Sequence, residues 1–334
     1  MTPNLHPRIE RNGKPVGATS WDGSITQAGT EMRSYYGRPV IKPPVWEPEV
    51  PMYFFTGGLG AASALFSLAT RLLGRGEQAK RMLYVGFASD LISPALLTAD
   101  LGRPERFLNM LRVFKVTSPM SVGSWVLVGR NAASATAAAL QFIDRAPRIK
   151  LAGELGSAAL APPLATYTAV LIANTAVPAW HAARHYLPFA FAAGSAASAG
   201  GAAVLVGPFA DTGPARRLAV GGSVAALAVT EVMEKRLGLV GKPYSEGLPG
   251  KLHRASKLLT AGGSALLALR GKRSRGAAVA GAAALTIGEV LFRFAIFKAG
   301  DLSARDPRYT VEPQRERVAH SGTRASVRTR DGKD

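Results

Sequence analysis

The sequence contains no cysteine. That excludes cysteine-ligated iron–sulfur clusters, structural disulfides and thiol catalysis in this chain. Histidine is sparse too: His6, His181, His185, His253 and His320 are scattered over ends and loops, without metal-ligand or paired-haem spacing, so no metal or haem is expected. Acidic residues are outnumbered, 22 against 41 Lys and Arg, which gives a net charge of +19 over 334 residues. In a soluble protein that surplus would suggest nucleic acid. Here the Lys and Arg stand in short segments between apolar runs, where they set topology and meet lipid headgroups, so no nucleic-acid partner is expected. The glycine pairs Gly57-Gly58, Gly200-Gly201 and Gly262-Gly263 lack the strand–helix context of a phosphate loop and read as packing sites. Residues 1–50 hold no apolar stretch of the kind a secretory signal needs.

What the chain does have is segregation. Mean hydropathy is only +0.10, yet apolar runs of roughly 20 residues recur, each long enough to cross a hydrocarbon core as a helix. The runs lie near 52–73, 82–100, 120–143, 154–180, 186–206, 216–233, 252–270 and 277–298. They are rich in Gly, Ala, Ser and Thr, which suits close packing between membrane helices. The expected fold is an all-α integral membrane protein of about eight transmembrane helices in two four-helix bundles. An extended, Pro-rich arm (1–50) precedes the transmembrane domain (51–299), and a polar tail (300–334) follows it, extended or disordered. Pro162-Pro163 should kink the fourth span. An even number of spans puts both termini on one side; the basic surplus in the loops after the odd-numbered spans assigns that side as extracytoplasmic.

Candidate chemistry concentrates where the arm becomes the first helix. Trp46, Glu47, Glu49 and Tyr53 meet there. Carboxylates at the edge of an apolar span are costly to desolvate, so they mark a site, or else a solvated or partner-facing charge. The second span ends in Asp100-Leu101-Gly102-Arg103-Pro104, where Asp100 and Arg103 are close enough to pair and brace the loop. Trp46 and Trp180 suit either interfacial anchoring or ring stacking. Inside the spans stand Asp90, Arg130, Glu231, Glu289 and Arg293. Such groups normally face a bundle interior, where they pair or carry protons; Glu289 and Arg293, at i and i+4, are able to satisfy each other.

In order and spacing, several segments resemble the NrfD family, the polysulfide reductase membrane subunits. They are Trp46 to Gly58, Asp100 to Pro104, Ser118 to Trp125, Tyr167-Thr168, and Ser303 to Tyr309. The likeness covers about residues 35–315. It implies a helical inner-membrane subunit that binds a quinone, with menaquinone the expected form. It also implies a ferredoxin-like iron–sulfur partner, which in turn contacts a molybdopterin oxidoreductase. Quinone chemistry moves two electrons and two protons, so the pocket needs hydrogen-bonding groups and a proton-exchanging group. Trp46, Glu47, Glu49, Tyr53, Asp100, Arg103 and Tyr167 are the candidates. In related subunits the tyrosine of the Tyr-Thr pair lies at the quinone; its alternative here is a phenol bonded between helices. Asp90, Arg130, Glu231, Glu289 and Arg293 would form a proton path between pocket and opposite side. Two other readings compete: a secondary transporter or proton channel, and an inert anchor for a catalytic complex. The aromatic, Pro-rich arm favours a docking subunit over a transporter.

Overall fold

In hydrocarbon a backbone N–H or C=O finds no water, so apolar runs of this kind satisfy their backbone internally, as helices. The computed structural model bears this out. It describes residues 26–27, 30–31, 40–44, 46, 48–101, 103 and 105–318. The helices are α1 (Glu49–Leu72), α2 (Gly76–Asp100), α3 (Arg106–Met110), α4 (Pro119–Phe142), α5 (Pro147–Ala159), α6 (Ala161–Ala173), α7 (Pro178–Ala182), α8 (Leu187–Val206), α9 (Gly213–Leu237), α10 (Gly247–Leu269) and α11 (Arg275–Arg305). A twelfth helix, α12, covers 308–318. Residues 45–301 form one compact unit, and the described residues on either side of it belong to a second.

Among the described residues, five helical stretches are long and apolar enough to cross a membrane: α1, α2, α5 with α6, α8 and α11. The protein is therefore a multi-pass membrane protein. The other long helices, α4, α9 and α10, coincide with expected spans but are more polar. Arg130-Asn131 interrupts α4, Arg216-Arg217 and Glu231 to Arg236 bracket α9, and Lys251 to Lys257 load the first half of α10.

Local chemistry sets the helix boundaries. Proline opens α4 to α9, where its missing N–H costs no intrahelical bond. The Ser118 side chain accepts from the Ser121 N–H at 3.4 Å and caps α4. The expected single span 154–180 is corrected. Its helix starts at Pro147, breaks at Leu160 and ends at Ala173. The break arises because Pro162 and Pro163 lack the N–H groups that the carbonyls of Ala158 and Ala159 would otherwise receive. Residues 178–182 form the separate turn α7, and its Trp180 is fully buried, donating to the Ile296 carbonyl at 2.8 Å. That burial rules out the interfacial anchor for Trp180; its ring instead packs on that of Phe297, with centroids 5.5 Å apart.

The tail reading is corrected over residues 300–318, while the rest of the expected tail, 319–334, lies outside the described residues. α11 continues to Arg305, and α12 follows instead of extended chain. Asp306 starts it: its carboxylate accepts from the Arg308 backbone N–H at 2.9 Å and from the Arg308 guanidinium at 2.6 Å, with Pro307 next in sequence. Most of the expected extended arm lies outside the described residues. Within it, Thr26–Gln27 pairs antiparallel with Thr30–Glu31.

Helix α1 lies against α2, α5, α6 and α8, and α8 lies against α1, α2, α6 and α9. Small residues make this possible. A Cβ on Gly58 would collide with the Ser195 hydroxyl of α8, and one on Gly200 would come within 2.8 Å of the Ala215 carbonyl of α9. Gly263 and Gly281 bring α10 and α11 together in the same way, each facing the other's carbonyl. A cluster of mainly small apolar side chains, among them Ala62, Ala197, Ala203, Ala219 and Ala282, fills the space between. The outer surface carries Leu65, Leu91, Ile92, Phe189 and Leu258, whereas Asp90, Arg130, Glu154, Glu289 and Arg293 are buried. Apolar outside and charged inside is the arrangement a lipid solvent favours.

Gly200→Val should cost about 1–3 kcal/mol by overpacking the α8–α9 contact. Gly262→Ala, which meets no atom within 4 Å, should change stability by no more than about 0.5 kcal/mol. Chemical denaturation of both variants in the same detergent measures the difference.

Candidate functional site

At one end of the bundle the start of α1, the end of α2, α3, the start of α4 and the end of α6 enclose a cavity of about 430 Å³. Successive helices run in opposite directions, so these ends fall on one side. Four of the sequence-predicted residues line it: Trp46 at its rim, Tyr53 from α1, Asp100 from the last position of α2, and Tyr167 from α6. The remaining wall is chiefly apolar, with Phe54, Leu97, Phe107, Met110, Leu127 and Leu171. Neither the Tyr53 nor the Tyr167 hydroxyl has a hydrogen-bond partner among the described residues. By contrast, the Ser124 hydroxyl is spent on the Met120 carbonyl at 2.9 Å and the Thr175 hydroxyl on the Ile172 carbonyl at 2.6 Å. The cavity thus presents two phenols, one carboxylate and the Asn174 amide against an otherwise oily wall.

Gly123 makes room for one of those phenols. A side chain at that position would overlap the Tyr167 ring, so only glycine lets α4 approach it. Tyr53 is anchored by its neighbours: its ring lies 6.1 Å from that of Phe54, which packs on Phe191 of α8 at 5.8 Å.

The other expected residues take different places. Glu49 stands half-buried in the first turn of α1, close enough to Asp100 for the two carboxylates to interact. Arg103 is exposed in the turn after α2, and no ion pair with Asp100 forms among the described residues. Glu47 lies outside the described residues.

The ionisable groups of the interior fall into separate clusters rather than one line. Asp90 of α2 pairs with Arg130 of α4, both fully buried, and Gly60 of α1 covers the pair. Asn131 donates to the Asp90 carbonyl at 3.0 Å. One turn towards the cavity, the Thr56 hydroxyl meets Ser93 at 2.9 Å, and Ser93 donates to the Ser89 carbonyl at 2.8 Å. At the other end of α1, Arg71 pairs with buried Glu154 of α5 at 2.5 Å. Glu154 was missed in the sequence, although it is an acid at the head of an apolar run, the same signal that marked Asp90.

The second cluster joins α9, α10 and α11. Glu289 and Arg293 stand 3.9 Å apart on α11. Arg293 donates to the Phe191 carbonyl at 3.0 Å and lies over the Phe191 ring at 4.0 Å. Glu231 is half-exposed and pairs outward with Lys235 and Lys257. One turn on, Glu234 bonds the buried His253 at 2.6 Å and Lys257 at 2.6 Å. His253 was also missed. Its signal was the i,i+4 pair with Lys257 on α10, facing acids on α9. Next to it Tyr244 donates to the Ala179 carbonyl at 3.0 Å, and burial pushes its phenol up.

A sequence model of one family, described as polysulphide reductase, NrfD, matches residues 40–239. The match takes in the described residues of the cavity wall and the Asp90–Arg130 pair; it stops before His253, Glu289 and Arg293. No curated protein matches the chain.

The buried pair carries a stability prediction. Arg130→Met should destabilise by about 3–5 kcal/mol because it strands the Asp90 carboxylate. Combining it with Asp90→Leu should recover most of that loss, since an apolar pair of similar volume replaces two desolvated charges. A double-mutant cycle by denaturation in detergent measures the recovery.

Proposed function

Because the chain belongs to the NrfD family, we propose that it is the membrane subunit of a respiratory redox complex and binds a quinone or quinol in the cavity between α1, α2, α4 and α6. The observation that carries this reading is the lining: two phenols without partners among the described residues, a carboxylate and the Asn174 amide in an otherwise oily cavity of about 430 Å³. That volume lies within the usual range for small-molecule pockets. A flat, two-carbonyl ring attached to an apolar tail matches such a site. The Tyr53 and Tyr167 hydroxyls would donate to the ring oxygens, and Trp46 and Phe54 would flank the ring.

Asp100 would exchange the protons. It stands at the end of α2, next to the aqueous edge, and it is the ionisable carboxylate in the described wall. Glu49 nearby, with Glu47 and Arg103, would shape the potential at the mouth. Electrons would come from or go to an iron–sulfur subunit docked at this end, with a molybdopterin oxidoreductase beyond it. The sequence supports a borrowed carrier, since a chain without cysteine holds no cysteine-ligated cluster.

In this reading all eight long helical stretches cross the cell inner membrane, with α1, α2, α4 and α5–α6 as one four-helix group and α8 to α11 as the other. Both termini would lie on the cavity side, which the basic loops opposite assign as extracytoplasmic. Thr56, Ser93, Asp90 and Arg130 lead inward from the cavity and would carry protons away from it.

The test is purification from native membranes in mild detergent, with bound lipids and copurifying proteins identified by mass spectrometry. Menaquinone together with an iron–sulfur protein is expected. A stable complex with neither quinone nor quinol turnover would leave only the anchor. In an active complex, Asp100→Asn should slow quinol turnover by about 10²-fold or more, the usual contribution of a proton-exchanging group. Tyr167→Phe should raise KM more than it lowers kcat.

A further inference from the structure

The cluster between α9, α10 and α11 has no part in the quinone cavity, and most of it lies beyond residue 239. It holds an unusual concentration of unmet polarity. Nδ1 of His253, Oε2 of Glu289 and the Thr260 hydroxyl are buried without hydrogen-bond partners among the described residues. All three residues line one small cavity of about 10 Å³, together with Thr230, Ser256 and Phe292. That is room for a single water, which needs two to four polar partners of this kind. On its other face the same imidazole bonds Glu234, and Glu234 is part-exposed near the end of α9.

We propose that His253 is a proton gate: it connects the aqueous edge at Glu234, through a one-water cavity, to Glu289, a buried carboxylate that loads and unloads a proton. A proton arriving on Glu234 passes to Nε2 of the neutral ring. The imidazolium releases its Nδ1 proton to the cavity water, which delivers one to the Glu289 carboxylate. One proton enters the ring and one leaves, so the ring ends neutral with its tautomer exchanged. The reverse sequence empties Glu289 and restores the first tautomer.

The surroundings suit a reversible load. Arg293 stands 3.9 Å from the Glu289 carboxylate, beyond a tight hydrogen bond, and its guanidinium is also held by the Phe191 carbonyl and ring. Its charge is thus shared between Glu289 and the Phe191 carbonyl and ring. From α9 the facing groups are Glu231, Glu234 and Lys235; from α10 they are His253 and Lys257; the turn before α10 contributes Tyr244. Helix α8 presents Gly194 to the carboxylate, where any side chain would strike it. The inference uses none of the cavity residues, so it stands or falls apart from the quinone reading.

Infrared difference spectroscopy of the purified full chain in lipid, without turnover, tests it. Acidification should raise a protonated-carboxyl band that Glu289→Gln abolishes. On transfer to deuterated buffer the band should shift. That shift should be slower by about a hundredfold in His253→Leu, the scale on which a positioned acid–base group acts. If His253→Leu fails to assemble, Glu234→Gln carries the same expectation from a part-exposed position. Deuteration at the wild-type rate in the variant, or a Glu289→Gln spectrum that loses no titrating band, overturns the proposal.

Discussion

The structure depends on how closely α1 and α8 approach. Lipid tails are as apolar as leucine, so membrane helices gain little from hiding apolar surface and must pack backbone to backbone. Gly58 against Ser195 sets that spacing, and Gly200 sets the next one, between α8 and α9. From this seam α1 reaches α2, α5 and α6 on one side, and α8 reaches α9 on the other. Bulky apolar side chains are displaced outward to the lipid face, and the interior becomes a place of small residues in which a few large polar groups find gaps.

Those gaps account for the polar interior. Gly60 leaves space over Asp90 and Arg130, Gly194 over Glu289, and Gly123 over the Tyr167 ring. The same device, a glycine on a neighbouring helix, seats each functional side chain. Seating is not neutralisation, however. Breaking such a pair strands a charge in a medium that solvates it poorly, which ties helix position to ionisation state. The aromatic wall of Phe54, Phe191 and Phe292 then separates the cavity from the Glu289 cluster, so the two are neighbours without sharing an aqueous space.

Much of this was legible in the chain. Hydropathy alone located the long helices to within a few residues at most ends, because a run of 20 apolar residues has few other solutions. The Trp46-to-Tyr53 boundary, Asp100 and Tyr167 were legible as short motifs, and Trp46, Tyr53, Asp100 and Tyr167 do share a cavity. The errors have local causes. The kink at Pro162-Pro163 was legible, but the bounds of the fourth span were not: its helix starts earlier, at Pro147, and ends at Ala173, and Pro178 opens a separate short helix that hydropathy had joined to it. The tail was read as unstructured because its Asp306-Pro307 start signal sits among charges. Glu154 and His253 were passed over because each stands at the very start of its expected span, where a polar residue reads as an interfacial one until its helix is docked.

By itself, then, the sequence determined the class of solvent, the helices and the residues able to do chemistry, since those follow from composition along a single line. Only the tertiary structure decided which of them meet. The ionisable residues, spread over six helices, could have formed one path or several; the crossings permitted by each glycine divided them, pairing Asp90 with Arg130, Glu154 with Arg71, and His253 with Glu234. Such pairings depend on contacts of a few ångströms between segments far apart in the chain, and no local pattern encodes them.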